Sequence, residues 1–187
     1  MEFITYCQQT IENLSKLQNP NFISDFSNAV DILLECVNSG GTILICGNGG
    51  SHSDALHFAG ELVNYFTREH RALPVITLGT NGAVSTAWSN DHSFEDQFAR
   101  EVEAYGSPGS VLIGITTSGK SKNVNRAFTK AKQVGLKTIA LSSERAKLNL
   151  PPGIDCILSV PVEETHKIQE CHIVIYHAIC ISIEESL

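Results

Sequence analysis

The 187-residue sequence lacks three features that would define its class at once. No run approaches the ~18 apolar residues of a membrane span, the amino terminus has no basic and apolar leader, and no C-x-x-C pair occurs among the six cysteines. These absences argue against a membrane protein, a secretory signal and zinc-ribbon chemistry. We therefore expect a cytoplasmic protein whose cysteines are buried, reduced thiols.

Positive charge is also scarce. Lysine and arginine number 13 against 20 acidic residues, so the formal net charge is −7. A nucleic-acid partner is disfavoured, because no basic stripe is available to neutralise backbone phosphates. A small anionic ligand is not excluded, since local dipoles rather than net charge bind such ligands.

What the sequence contains is an alternation of short apolar runs with helical segments. Two helices are predicted first, over residues 1–17 and 22–37, and a last one over 166–183. Continuous apolar runs predict strands covered on both faces, and their alternation with helices predicts parallel crossovers. We predict one three-layer α/β domain over residues 1–187, with strands at 42–46, 74–78, 110–115, 137–141 and 156–160.

The first candidate ligand loop is residues 47–51 (GNGGS), the glycine loop, between a predicted strand and a helix. Ligands of open parallel sheets bind beyond the carboxyl ends of the strands. Glycines allow close backbone approach, and the helix start presents free N–H groups. An ordinary βα turn would look the same, and the loop matches neither a Walker loop nor a full dinucleotide fingerprint.

The second candidate is residues 116–121 (TTSGKS), the hydroxyl loop, which also follows a strand and opens a helix. Phosphate takes short hydrogen bonds from hydroxyls and amides, and a helix N-terminus adds favourable potential. Helix capping would account for one hydroxyl and leave the rest solvated. Four hydroxyls in six residues therefore favour phosphate binding; they are Thr116, Thr117, Ser118 and Ser121.

Histidine and carboxylate side chains offer candidate chemistry on two helices. His57 and Glu61 are four residues apart and share a helix face. Such a pair can ligate a metal, act in acid–base catalysis, or be an ordinary surface pair. Gln169 and His177 share a face of the last helix about 12 Å apart, so one metal could bind both only if they leaned together or came from different subunits.

In combination these motifs resemble those of the bacterial phosphoheptose isomerases, which belong to the sugar isomerase (SIS) domain class. The likeness runs in order over nearly the whole chain, and the combination is far more specific than any piece. The matching pieces are CGNGGS at 46–51, DALHFAGEL at 54–62, Leu73-Pro74, Asn90-Asp91, TTSGKSKN at 116–123, and IQECHI at 168–173 with His177.

The resemblance implies an α/β/α sandwich with a five-stranded parallel sheet. It implies a homotetramer with active sites at subunit interfaces, in which the leading helices of residues 1–38 make oligomer contacts. The implied reaction converts sedoheptulose 7-phosphate to D-glycero-D-manno-heptose 7-phosphate through an enediolate. That reaction is the first step of heptose supply for lipopolysaccharide or capsule.

The resemblance also assigns roles residue by residue. Glu61 and His177 fall on the acid–base positions. The positions that hold zinc in some members, one ion per subunit, are His57, Glu61, Gln169 and His177. The implied substrate contacts are Asn48, Gly49, Ser51, Glu61, Asn90, Asp91, Thr116, Thr117, Ser118, Ser121 and Gln169. On sequence alone we place Asn90-Asp91 in the loop before a helix at 95–105.

Two positions and one segment depart from the family pattern. Tyr65 stands where many members have an arginine, and His166 stands where an aspartate is usual. Residues 142–147 read SSERAK where the family often has Thr-Gly-Lys-Asp-Gly-Gly. The departures touch substrate contacts rather than the acid–base pair, so they bear on which sugar is bound.

Two alternatives remain open. The chain could be a non-catalytic SIS module, either a phosphosugar sensor or an adaptor that binds a replication initiator. It could also isomerise another sugar phosphate. Retention of both Glu61 and His177 weighs against the first, because an adaptor has no need of them.

Overall fold

The central element is a parallel sheet of five strands in the order β2-β1-β3-β4-β5. The computed structural model describes residues 2–187. The strands are β1 (Ile43–Gly47), β2 (Val75–Thr77), β3 (Val111–Ile115), β4 (Lys137–Ser143) and β5 (Cys156–Val160). The predicted fold class, a five-stranded parallel sheet between helical layers, is confirmed.

Seven α-helices are found within residues 2–187. They are α1 (Phe3–Ser15), α2 (Pro20–Asn38), α3 (Gly50–Val63), α4 (Gly82–Asp91), α5 (Gln97–Tyr105), α6 (Lys122–Gln133) and α7 (Thr165–Ser186). None of them is long and apolar enough to traverse a bilayer.

Alternate strand residues feed two separate cores. Ile43 and Ile45 of β1 face a core shared with α2, α3 and α7, while Leu44 and Cys46 face a core shared with α5 and α6. Both faces of β1 and β3 are fully buried, which is why their sequences are apolar without alternation. This packing sets α3 and α7 side by side on one face of the sheet.

The cysteines follow the predicted pattern of free thiols. Five are buried and Cys7 is half-buried. Burial raises the pKa of Cys36 and Cys156 to about 11, so both thiols stay protonated. These cysteines fill core space.

The N-terminal helix differs from the rest, because α1 buries no residue within the chain. Its apolar side chains Phe3, Ile4 and Ile11 are 80%, 67% and 63% exposed. A polar cluster joins α1 to α7: Tyr6 and Thr10 donate hydrogen bonds to Glu170. The role of the leading helices in oligomer contacts stays a prediction.

One placement is wrong: Asn90 and Asp91 end α4 and do not lie in a loop. The helix begins after Asn81, whose side chain accepts hydrogen bonds from the amides of Ala83 and Val84. No residue of α4 is buried, so the helix leaves no apolar periodicity in the sequence.

Candidate active site

The glycine loop and the hydroxyl loop meet because β1 and β3 are neighbours in the sheet. The side-chain amides of Asn48 and Asn123 bind each other reciprocally, at 2.8 and 2.9 Å. Asn48, predicted as a substrate contact, thus uses its amide to join the loops. Asn123 was not among the predicted site residues, because an asparagine at a helix start reads as an ordinary polar residue.

The glycine loop brings backbone close to α7. Gly49 is the N-cap residue of α3. Its φ of +56° lies in the left-handed region, which residues with a side chain rarely adopt. A Cβ added to Gly50 would collide with the amide of Gln169. Ser51 is buried at the first turn of α3. The loop also borders a cavity of about 310 Å³, whose lining includes His52, Ser85 and Gln97.

The hydroxyl loop is folded on itself by its own side chains. Thr116 Oγ1 accepts from the amide of Gly119 at 3.1 Å, and Ser118 Oγ accepts from the amide of Lys120 at 3.2 Å. Ser121 occupies the N-cap position of α6 and makes no capping hydrogen bond. The capping explanation for Ser121 therefore fails, and its hydroxyl is available to a ligand.

His57, Glu61 and His177, the histidine cluster, come together between α3 and α7. One ligand atom from each lies within 4.8 Å of the others. His57 Nε2 is 2.9 Å from Glu61 Oε1, and the Tyr176 hydroxyl is 2.8 Å from His57 Nδ1. If Tyr176 donates to Nδ1, His57 carries its proton on Nε2 and donates to Glu61.

The imidazole ring of His177 packs against neighbouring rings. Phe66 stacks on its ring at 4.8 Å, and His57 meets it edge-on at 5.1 Å. Burial, and then the nearby His57, lower the pKa of His177, so the ring is neutral near pH 7. Its buried Nε2 has no hydrogen-bond partner within residues 2–187. That nitrogen is free for a metal or a substrate oxygen.

Glu184, near the end of α7, holds the segment that carries Phe66. Its carboxylate accepts hydrogen bonds from the amides of Phe66, Thr67 and Arg68, and from the Thr67 hydroxyl. Burial alone would raise the pKa of Glu184, but these bonds lower it. The anchored segment keeps Phe66 against His177.

Asp54 was missed by the sequence reasoning, although it lies one helical turn before His57. The side chain is buried, and its Oδ2 has no partner within residues 2–187. Burial raises the pKa of Asp54 to about 6, and the nearby His57 partly offsets this. Burial, and then Asp54, also raise the pKa of Tyr176. A buried carboxyl next to a catalytic candidate is a typical sign of a functional site.

Three predicted residues lie away from the histidine cluster. Gln169 lies against Gly50 at the start of α3, whereas Glu61 is eleven residues along that helix, about 16 Å. Asn90 and Asp91 are exposed, and the Asn90 amide donates to the Asp91 carboxylate at 2.8 Å. Neither lines the cavity beside the glycine loop.

The donor set of the histidine cluster fits a zinc ion. Two imidazole nitrogens and one carboxylate oxygen are ligands that zinc takes in catalytic sites with one position left open. The unpartnered, buried Nε2 of His177 is what such a ligand needs. Gln169 lies too far along α7 to join it without a change in position.

Comparisons with known proteins show the family of the chain. Residues 2–143 match the SIS domain family. The chain is 43% identical over 182 residues to the phosphoheptose isomerase of Crocosphaera subtropica, covering 97% of this chain and 92% of that protein.

Solved structures resemble the chain at two levels of similarity. Phosphoheptose isomerase GmhA from Neisseria gonorrhoeae superposes with a TM-score of 0.88 and 34% identity, over 97% of this chain and 96% of that one. The Vibrio vulnificus NanR protein, solved with ManNAc-6P, has a TM-score of 0.63 and 14% identity, over 97% of this chain and 64% of that one. The second likeness shows the fold alone.

Proposed function

The chain belongs to the phosphoheptose isomerases of the SIS domain family, and from that premise we propose that it converts sedoheptulose 7-phosphate to D-glycero-D-manno-heptose 7-phosphate. The product would supply heptose for lipopolysaccharide or capsule, in the cytoplasm. The observation that carries the proposal is the histidine cluster, in which Glu61 and His177 meet through α3 and α7.

The substrate phosphate binds at the hydroxyl loop. Hydroxyls of Thr117, Ser118 and Ser121 are half-buried at the start of α6, where the helix dipole favours an anion. Ser51 and the backbone of Gly49 contribute from the glycine loop. Binding the phosphate at one end fixes the reacting carbons of the sugar at the other.

Glu61 transfers the carbon-bound proton. Its carboxylate removes a proton from C1 of the open-chain ketose, forms the cis-enediolate, and returns the proton to C2. While no metal is bound and Tyr176 donates to Nδ1, His57 donates to Glu61 and so orients it. One carboxylate can do both steps because the two carbons are adjacent.

His177 transfers the oxygen-bound proton. The C2 carbonyl oxygen gains a proton while the O1 hydroxyl loses one, so a single group can serve both oxygens. A neutral imidazole suits this role, and the lowered pKa of His177 keeps it neutral. Asp91 and Gln169 are proposed to orient substrate hydroxyls.

We include zinc on His57, Glu61 and His177, with Gln169 supplied by a neighbouring subunit as the fourth ligand, because within one chain it lies too far from the other three. When bound, zinc supplies a positive charge that polarises the substrate carbonyl and stabilises negative charge on the enediolate. Supporting this are the ligand types and the unpartnered nitrogen of His177.

We also propose a homotetramer with active sites at subunit interfaces. The support is the exposed apolar surface of α1 and the partly exposed apolar residues of α7, such as Val174 and Ile181. An interface would let a second subunit complete the distant contacts of Gln169, Asn90 and Asp91.

The test is incubation of purified protein with sedoheptulose 7-phosphate, with and without a chelator, followed by NMR. We expect the aldoheptose phosphate to appear, and chelation to slow its appearance. Phosphosugar binding without product would favour a sensor or adaptor. Turnover of a pentose or hexulose phosphate in preference would identify another sugar, with Tyr65 and His166 as the residues to exchange first.

A further inference from the structure

The backbone carbonyls of the hydroxyl loop are bound by side chains from outside the loop. The hydroxyl of Ser142 donates to the carbonyl of Thr116 at 2.6 Å. The hydroxyl of Ser143 donates to the carbonyl of Thr117 at 2.8 Å. Both serines lie at the carboxyl end of β4, next to β3, so they reach the loop where it leaves the sheet.

The next two carbonyls are bound by asparagines. Asn149 Nδ2 donates to the carbonyl of Ser118 at 3.0 Å, and Asn125 Nδ2 donates to the carbonyl of Gly119 at 2.8 Å. Asn125 also donates to the backbone carbonyl of Asn149, at 3.0 Å. Four consecutive carbonyls of the loop, residues 116–119, therefore each have a side-chain donor.

A short helix packs against the loop from the same side. The 3₁₀ helix Glu144–Asn149 follows β4 directly. A Cβ added to Gly119, which has a φ of +68°, would lie 2.5 Å from the carbonyl oxygen of Ala146. Such close packing leaves the loop no room to shift toward this helix.

The support continues into α7. His172 is fully buried, and its Nε2 is 3.2 Å from the carbonyl of Ser142. Burial lowers the pKa of His172 to about 4, so the ring is neutral and can donate to that carbonyl. Ser142 is thereby fixed on both sides.

Hydrogen bonds to the loop carbonyls also fix the directions of the loop amides, which matters for anion binding. The C=O and N–H of a peptide unit point in opposite directions, so fixing the carbonyl also aims the next N–H. A carbonyl oxygen turned toward phosphate would repel it, whereas an N–H attracts it. The amides of Thr117 and Ser118 have no partner within residues 2–187 and remain available.

We propose that Ser143 and Asn149, together with Ser142 and Asn125, are positioning residues that preorganise the hydroxyl loop for the substrate phosphate. The proposal rests on the proposed function, because it assigns that site's phosphate to this loop. It also gives part of the departure after Leu141 a role, because Ser143 stands where the family often has a glycine, which has no hydroxyl to donate.

A purely structural role predicts a different outcome. Buried serine hydroxyls generally find a partner, and the loss of one such bond can lower stability alone. That loss would reduce the active fraction, and hence the apparent kcat, with KM unchanged. A positioning role raises KM and weakens phosphate binding, and it leaves the pH profile of kcat as it was.

The experiment compares Ser143→Ala and Asn149→Ala with Leu148→Ala. Leu148 is on the same 3₁₀ helix and is 95% exposed, so its variant is the matched control. Each of the first two should raise KM, and the inhibition constant of inorganic phosphate, about fivefold, the loss of one hydrogen bond. Unchanged KM and phosphate inhibition in both alanine variants would overturn the proposal.

Calorimetric titration with inorganic phosphate separates this proposal from the proposed function. If wild type has no isomerase activity but the variants bind phosphate more weakly, the positioning role stands and the function fails. If wild type is active and all variants bind phosphate equally, the positioning role fails. Asn149 is exposed, so its variant keeps the test possible if Ser143→Ala does not fold.

Discussion

The hydroxyl loop and the histidine cluster bind opposite ends of one proposed substrate, yet their polar groups are satisfied very differently. Every carbonyl of residues 116–119 has a side-chain donor. In contrast, His177 Nε2 and Asp54 Oδ2 are buried without partners within residues 2–187. An unpaired buried polar group costs about 1–3 kcal/mol. The backbone of the hydroxyl loop is therefore preorganised for phosphate, whereas the region of the histidine cluster has unpaired polar atoms that a ligand could bind.

The largest effect should come from the chemical end. Glu61→Gln removes the only group we assign to carbon proton transfer, so kcat should fall at least about 10³-fold. Inorganic phosphate affinity, measured by calorimetry, should stay within about twofold because the hydroxyl loop is untouched. Glu185→Gln, at an exposed position of α7, is the control and should behave as wild type. Substantial activity in Glu61→Gln would remove Glu61 from its role.

The next effect should come from the phosphate end. Gly119→Ala combines a positive φ with the contact to Ala146, so phosphate affinity should fall about tenfold or more. Gly135→Ala is the matched control: Gly135 has a φ of +83° and nothing within 4 Å of an added Cβ. It should lose about 1 kcal/mol of stability and keep its phosphate affinity. Equal phosphate affinities for the two variants would show that the close packing is unimportant.

Asp54→Asn tests how much the buried, unpaired carboxylate of Asp54 lowers the free energy of unfolding. The raised pKa of Asp54, about 6, means the folded protein holds this proton more tightly than the unfolded chain. Its stabilising contribution is therefore complete below about pH 4 and is lost as pH rises through about 6. In chelated protein the variant should be more stable than wild type near pH 8 by at most about 3 kcal/mol, with the gain vanishing near pH 4.

Urea denaturation across that pH range measures the difference. Asp31→Asn, at an exposed position of α2, is the control and should stay near wild type at every pH. A gain for Asp54→Asn that is constant from pH 4 to pH 8 would contradict the explanation by burial of charge.

The smallest effect should come from Lys120, the only cation within the hydroxyl loop. Lys120 is exposed, so its attraction for phosphate is screened by solvent and salt. Lys120→Ala should weaken phosphate binding less than about threefold, and binding should become less salt-dependent. Lys147→Ala, on the exposed side of the adjacent 3₁₀ helix, is the matched control. A larger loss for Lys120→Ala would mean that charge, rather than hydroxyls and amides, dominates this end.

The sequence predicted the helices and strands that have strong apolar patterns. Strands such as Val111–Ile115 are buried on both faces, and their sequences are continuous apolar runs. Helices α2 and α6 each bury one face, and their apolar residues recur at helical spacing. Helix α4 escaped prediction because it buries nothing. Asp54 and Asn123 escaped because a single aspartate or asparagine in a helix has no distinctive pattern.

By itself the sequence determined the chemical inventory: two loops for an anion, His57 with Glu61 on one helix, and Gln169 with His177 on another. The pair on α3 followed from local geometry, since residues four apart share a helix face. Only the tertiary structure decided that His177 joins that pair, while Gln169 lies at the opposite end of α3. It alone showed that residues 142–149 bind the carbonyls of residues 116–118, because strand order brings distant segments together and no local pattern encodes it.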